Sequence, residues 1–60
     1  MKLWIARDLN GELILYKEQP SYNNNLKMWI GGLPVGELKC YSFPEVTFEN
    51  SPQQVELNLV

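Results

Sequence analysis

The chain has 60 residues, of which 45% are hydrophobic and 20% charged, and its formal net charge is −2. This length allows one domain, which we expect to span residues 1–60, and a domain so small buries only about 60% of its unfolded surface. The lack of histidine and the single cysteine exclude an internal disulfide and the usual zinc-binding sets, so we expect no metal or other cofactor.

Composition also bears on location and partners. No apolar run approaches the roughly 18 residues of a membrane-spanning helix, and the four apolar residues between Lys2 and Arg7 are too few for a signal-peptide core. With the lone thiol, these features predict a cytoplasmic protein that does not enter the membrane. Five scattered basic residues argue against a nucleic-acid partner held through its phosphates. Oligomerisation remains as a way to stabilise so short a chain.

The strongest local signal is a β-hairpin near the N-terminus. Two apolar runs, residues 3–6 and 13–16, flank a turn at residues 8–11. Asp8 and Asn10 suit a type I turn, and Gly11 takes the left-handed position that follows at no steric cost. The sequence therefore predicts a hairpin with a short loop that closes on a glycine bulge.

This turn sets a register that places Trp4 opposite Tyr16, and Lys2 opposite Glu18 at the open end. One face of the hairpin then carries Leu3, Ile5, Leu13 and Leu15, and the other carries Trp4, Ala6, Ile14 and Tyr16. Both faces are apolar, and a two-stranded ribbon cannot shield both. Another part of the chain, or a partner, must cover at least one of them.

The middle of the chain predicts a loop and two further strands. Residues 19–25 contain a proline and a run of asparagines and are expected to form an exposed loop. Residues 26–30 alternate, which predicts a third strand, and residues 31–36 have the glycines and proline of a chain reversal. Residues 37–41 alternate again and predict a fourth strand, with Cys40 as a small core residue.

The last third of the chain leaves two alternatives open. Near residues 43–46 we expect one turn of 3₁₀ helix that lays Phe43 and Val46, or else Phe48, on the sheet; a short strand over residues 46–48 is the alternative. Residues 53–60 resemble a capped helix at their start, but they alternate like a strand. We favour a terminal strand with its inward side chains at Val55, Leu57 and Leu59.

The predicted fold is therefore mainly β. We expect a small curled antiparallel sheet or a partly open barrel of four to five strands, with one short helical turn near residues 43–46.

Function is expected to reside in the surface. The acidic residues are dispersed and the chain is too small to bury a reactive pair in a deep pocket, so we do not expect an enzyme. If the four strands share one sheet, four aromatic residues gather on one face; they are Trp4, Tyr16, Trp29 and Tyr41. This face is either a second layer of core, a contact surface for a protein partner or a second copy, or a stacking platform for single-stranded nucleic acid.

The sequence thus predicts a non-enzymatic module for protein interaction or self-association, with single-stranded nucleic-acid binding through the same aromatic face as the alternative.

Two stretches carry a resemblance. Residues 6–16, with Ala6-Arg7-Asp8 and Gly11, and residues 43–57, with the run from Phe43 to Pro52, are similar to short uncharacterised proteins encoded by gut bacteria and their prophages. Those proteins have no assigned activity, so the resemblance implies an origin and a compartment and no mechanism.

Overall fold

The computed structural model describes residues 2–56, which form six β-strands and, within that range, no helix. The strands are β1 (Lys2–Arg7), β2 (Leu13–Tyr16), β3 (Pro20–Asn23), β4 (Met28–Gly31), β5 (Pro34–Leu38) and β6 (Gln53–Glu56). One antiparallel sheet has the strand order β5-β2-β1-β6, and β3 pairs with β4 in a second antiparallel sheet. The mainly β prediction is confirmed, although the strands form two sheets and no closed barrel. Nowhere in these residues is there a helix that could cross a membrane.

The N-terminal hairpin has the predicted turn and register. Trp4 lies opposite Tyr16. Asp8 donates its N–H to the Glu12 carbonyl (2.7 Å), and Gly11 has a φ of 93°. The expected pairing at the open end is wrong, because β2 ends at Tyr16 and Lys2 lies opposite Glu56 of β6.

The expected loop at residues 19–25 is wrong, because its first half is strand β3. Pro20 opens the strand, a position at which its missing N–H is tolerated. A four-residue loop then leads into β4; Asn23 Oδ1 accepts the Leu26 N–H at 2.8 Å, and Lys27 adopts a left-handed φ of 55°. The asparagine run therefore makes the turn of a second hairpin.

The chain reverses earlier than expected, over residues 31–33. All three residues have positive φ, with values of 73° at Gly31, 72° at Gly32 and 51° at Leu33. Strand β5 consequently begins at Pro34 and ends before the turn that contains Cys40. Cys40 is exposed, so the prediction that it is a core residue is wrong.

The main core cluster lies on one face of the larger sheet, and Ala6 and Tyr16 are buried on the other. Ile5 and Leu13 are fully buried in the main cluster, under Val46 from the loop between β5 and β6. Val46 donates its N–H to the Phe43 carbonyl (2.9 Å), so residues 43–46 form a single hydrogen-bonded turn in place of a 3₁₀ helix. Val46 covers the sheet as predicted, whereas Phe43 remains 39% exposed.

The terminal strand is confirmed over its described part, where Val55 packs against the core cluster. The predicted inward positions Leu57 and Leu59 lie outside the described residues.

The guanidinium of Arg7 holds the β5–β6 loop against the hairpin. Its Nε donates to the Val46 carbonyl at 2.6 Å, Nη1 donates to the carbonyls of Gly11 (2.8 Å) and Cys40 (2.9 Å), and Nη2 donates to those of Ser42 (3.0 Å) and Phe43 (3.2 Å). An arginine side chain has five N–H donors in a fixed planar fork, and here each meets a separate carbonyl. A single side chain thus supplies the hydrogen bonds that hold this loop to the hairpin.

We expect Arg7→Lys to lower the free energy of unfolding by about 2–3 kcal/mol, because a lysine has three donors and no planar fork to span these carbonyls. Urea denaturation followed by tryptophan fluorescence measures the change. The matched control is Lys17→Arg at an exposed position, for which we expect a change within about 0.5 kcal/mol. Equal effects of the two exchanges would contradict the role given to Arg7.

Three glycine-to-alanine variants separate backbone strain from steric contact. A Cβ at Gly32 would lie 2.8 Å from Tyr16 Cδ1 and 2.9 Å from the Glu18 carbonyl oxygen, whereas at Gly31 and Gly36 it would meet nothing within 4 Å. We expect a loss of about 1 kcal/mol for Gly31→Ala from its positive φ alone. Gly32→Ala should cost clearly more than Gly31→Ala, and Gly36→Ala should be neutral or slightly stabilising. Thermal unfolding that ranks the variants in another order would contradict this packing.

Candidate interaction surface

The first two predicted aromatic residues lie side by side on the larger sheet. Trp4 and Tyr16 are directly opposite each other on β1 and β2. Trp4 is half-buried, and Tyr16 is only 5% exposed. Burial raises the pKa of the Tyr16 hydroxyl, and the negative charge of Asp8 adds to this. In this fold Tyr16 is part of the packed interior.

Trp29 belongs to a different group. It lies opposite Tyr22 in the β3–β4 hairpin, with ring centroids 5.3 Å apart, and Phe48 from the β5–β6 loop completes the group at 4.9 Å from Tyr22 and 6.2 Å from Trp29. All three contacts are edge-on, the arrangement that aromatic quadrupoles favour. Trp29 Nε1 also donates to the Arg7 carbonyl (3.1 Å). These contacts anchor the smaller sheet to the rest of the protein.

Tyr41 lies in the turn after β5 and is 74% exposed. The four predicted aromatic residues are therefore not gathered on one face. The expectation required that all the strands share one sheet, and that condition fails because β4 is in the second sheet and Tyr41 is beyond the end of its strand.

The side of β4 opposite Trp29 faces outward. Met28 is 46% and Ile30 39% exposed. The predicted alternation is present, and Trp29 takes the inner side because it contacts Tyr22, Phe48 and the Arg7 carbonyl.

The exposed apolar side chains continue beyond β4. We define the 26–35 surface as the exposed large apolar residues of this ten-residue segment, which are Leu26, Met28, Ile30, Leu33 and Val35. The only charged residue in the segment is Lys27. Among the described strands, β4 pairs with β3 alone and β5 with β2 alone, so both strands that carry this surface have an unpaired edge. Neither the alternation nor the composition distinguishes this surface from a buried one; only the tertiary arrangement does.

A second feature is a cleft beside β6. It has a volume of about 270 Å³ and lies between the β5–β6 loop and the strand. Its lining residues are Phe43, Glu45, Val46, Asn50, Gln53, Gln54 and Val55. Within residues 2–56, no three acidic or cysteine side chains converge in a way that would hold a metal ion.

No protein-family model, curated protein or solved structure matches the chain.

The raised pKa of Tyr16 predicts a loss of stability in alkali. The unfolded chain loses the tyrosine proton first, near its ordinary pKa of 10.0, so the stabilisation is complete below that pH and is lost as the pH rises through the higher folded pKa. We expect the free energy of unfolding to fall above pH 10 less steeply in Tyr16→Phe than in the parent. Tyr41→Phe, at an exposed site, is the matched control. Urea denaturation across this pH range tests both variants, and identical slopes for all three proteins would contradict the burial of Tyr16.

Proposed function

We propose that the protein is a non-enzymatic interaction module that binds a second copy of itself or a protein partner through the 26–35 surface. The observation that carries this proposal is the placement of five exposed large apolar side chains within ten residues of chain. Single exposed apolar residues are ordinary on a soluble protein, whereas continuous groups of them mark contact sites.

The edge of β4 supports the same proposal. An unpaired edge presents backbone N–H and C=O groups that can pair with another chain, and proteins usually protect such edges with charges or proline. Strand β5 has Pro34 and Glu37, but the β4 sequence, Met-Trp-Ile-Gly, has neither a charge nor a proline. Strand β4 therefore offers both apolar side chains and free backbone groups to a partner.

The aromatic alternative has less support. Tyr16 is buried and Trp29 is engaged with Tyr22 and Phe48, so within residues 2–56 the four predicted aromatic residues do not form an exposed row on which successive bases would stack, although Tyr41 itself is exposed.

We expect the double variant Met28→Lys/Ile30→Lys to weaken self-association at least about ten-fold, because two ammonium groups would have to be desolvated at the contact. Sedimentation equilibrium over a wide concentration range measures the association. Leu9→Lys is the matched control, since Leu9 is 63% exposed at the tip of the first hairpin and outside this surface. Circular dichroism checks that the variants keep the parent fold.

A photo-cross-linker distinguishes a second copy from a different partner. A benzophenone amino acid in place of Met28 should give an adduct in cells, and the same group in place of Leu9 should not. The mass of the adduct shows whether the bound chain is another copy. Equal adducts at both positions, or a parent protein that stays monomeric and gives no adduct at position 28, would contradict the proposal.

A further inference from the structure

We propose that the outer edge of β6 binds an extended peptide as an added strand, and that the cleft beside β6 takes a lysine or arginine side chain of that peptide. This site lies on a different strand from the 26–35 surface and does not depend on it. The proposal rests on the hydrogen-bond direction of β6, the position of the cleft and the charge around it.

The hydrogen bonds of β1 fix which backbone groups of β6 are free. Along a strand, the backbone N–H and C=O groups of successive residues point alternately to the two neighbouring strands. The Asp8 N–H bonds to Glu12 on the β2 side, so the backbone groups of Leu3 and Ile5 point to the β6 side, where Val55 and Gln53 lie opposite them. Gln54, between these two, consequently directs its N–H and C=O away from β1. In the described part of the chain, β6 has β1 as its only neighbour.

The cleft opens next to this edge. Gln54 lines it together with its neighbours Gln53 and Val55, whose side chains share the face of the sheet on which Val46 packs. Sites for small molecules usually measure about 300–1,000 Å³, so a cleft of about 270 Å³ suits one long side chain better than a whole ligand.

Strand geometry connects the edge with the cleft. A residue of the added strand opposite Gln54 would exchange two main-chain hydrogen bonds with it and point its own side chain to the far face. Because successive side chains alternate, the next residue on either side, opposite Gln53 or Val55, would point into the cleft. Main-chain bonds would thus give the peptide its register, and the cleft would select one of its side chains.

The chemistry of the cleft indicates a basic side chain. Phe43, Val46 and Val55 offer apolar contact to an aliphatic stem, and Glu45 is the only charged residue among the described residues that line the cleft. Residues 40–56 carry three carboxylates and no cationic side chain. Two cations also lie nearby: Lys2 on β1 is opposite Glu56, and Arg7 donates to the Phe43 and Val46 carbonyls from the core side and keeps its positive charge. The attraction for a basic side chain therefore rests on Glu45 in the lining. A second copy that docked by this edge would bring its own residues 40–56, which supply no cationic side chain for Glu45.

The wall of the cleft is preformed by Asn50. Its Oδ1 accepts the Thr47 N–H (2.8 Å), its Nδ2 donates to the Glu45 carbonyl (2.9 Å), and its carbonyl accepts from Gln53 Nε2 (2.5 Å). A wall that is already ordered lowers the entropic cost of binding.

The test uses a capped, fluorescent eight-residue peptide in which threonine and lysine alternate, so that all lysines fall on one face of an added strand. Fluorescence anisotropy at low salt measures its affinity for the full-length protein. We expect Glu45→Gln to weaken binding about three- to five-fold, the upper range for an exposed ion pair. Glu49→Gln removes the same charge from the same loop outside the lining, and it should weaken binding by less than about 1.5-fold.

Two further measurements examine the strand pairing. Hydrogen exchange of the Gln54 amide should slow several-fold when the peptide binds, and N-methylation of the peptide at its threonines should abolish binding by removing the donors that face Gln54. Equal weakening by Glu45→Gln and Glu49→Gln, equal binding of a peptide with glutamate for lysine, or protection confined to residues 26–35 would each overturn the proposal. The last of these results would leave the 26–35 surface intact as the proposed interaction site.

Discussion

The fold depends on one charged side chain that bonds to carbonyl groups distant in sequence. Arg7 satisfies five carbonyl groups, one in the first turn at Gly11 and four between Cys40 and Val46. The β5–β6 loop has no strand ladder of its own, and in such a loop unpaired carbonyls would be costly wherever water is excluded. By holding these groups, the guanidinium places Val46 over Ile5 and Leu13, and this small cluster is the centre of the core.

Features that depend on neighbouring residues were predictable. The turn at residues 8–11 determines the β1–β2 register, and both follow from the conformational preferences of aspartate, asparagine and glycine. The strand β3 was not predictable in this way, because a proline followed by asparagines is typical of a loop. Its pairing with β4 is supported by the contact of Tyr22 with Trp29 and Phe48, and Phe48 comes from a distant segment.

The candidate surface shows the same limit. Period-two alternation correctly divides β4 into two sides, yet it does not say which side is buried. Methionine and isoleucine are usually core residues, but here Met28 and Ile30 are exposed. Trp29 lies inward instead, because its indole N–H donates to the Arg7 carbonyl and its ring contacts two other aromatic rings. The role of Arg7 could not be predicted from the sequence, in which it is the sole arginine, because four of its five carbonyl acceptors lie 33 to 39 residues away.

The span of the Arg7 contacts also bears on the order in which the molecule assembles. The first hairpin needs only neighbouring residues, whereas the β5–β6 loop needs a guanidinium that is already fixed in β1. Contacts across such a separation form slowly, because a long loop must close before they contribute. The β1–β2 turn can therefore form before the β5–β6 loop docks on the sheet. By the same logic, the β5–β6 loop should be the first segment to detach in a partly opened molecule, which would expose Ile5 and Leu13 to water.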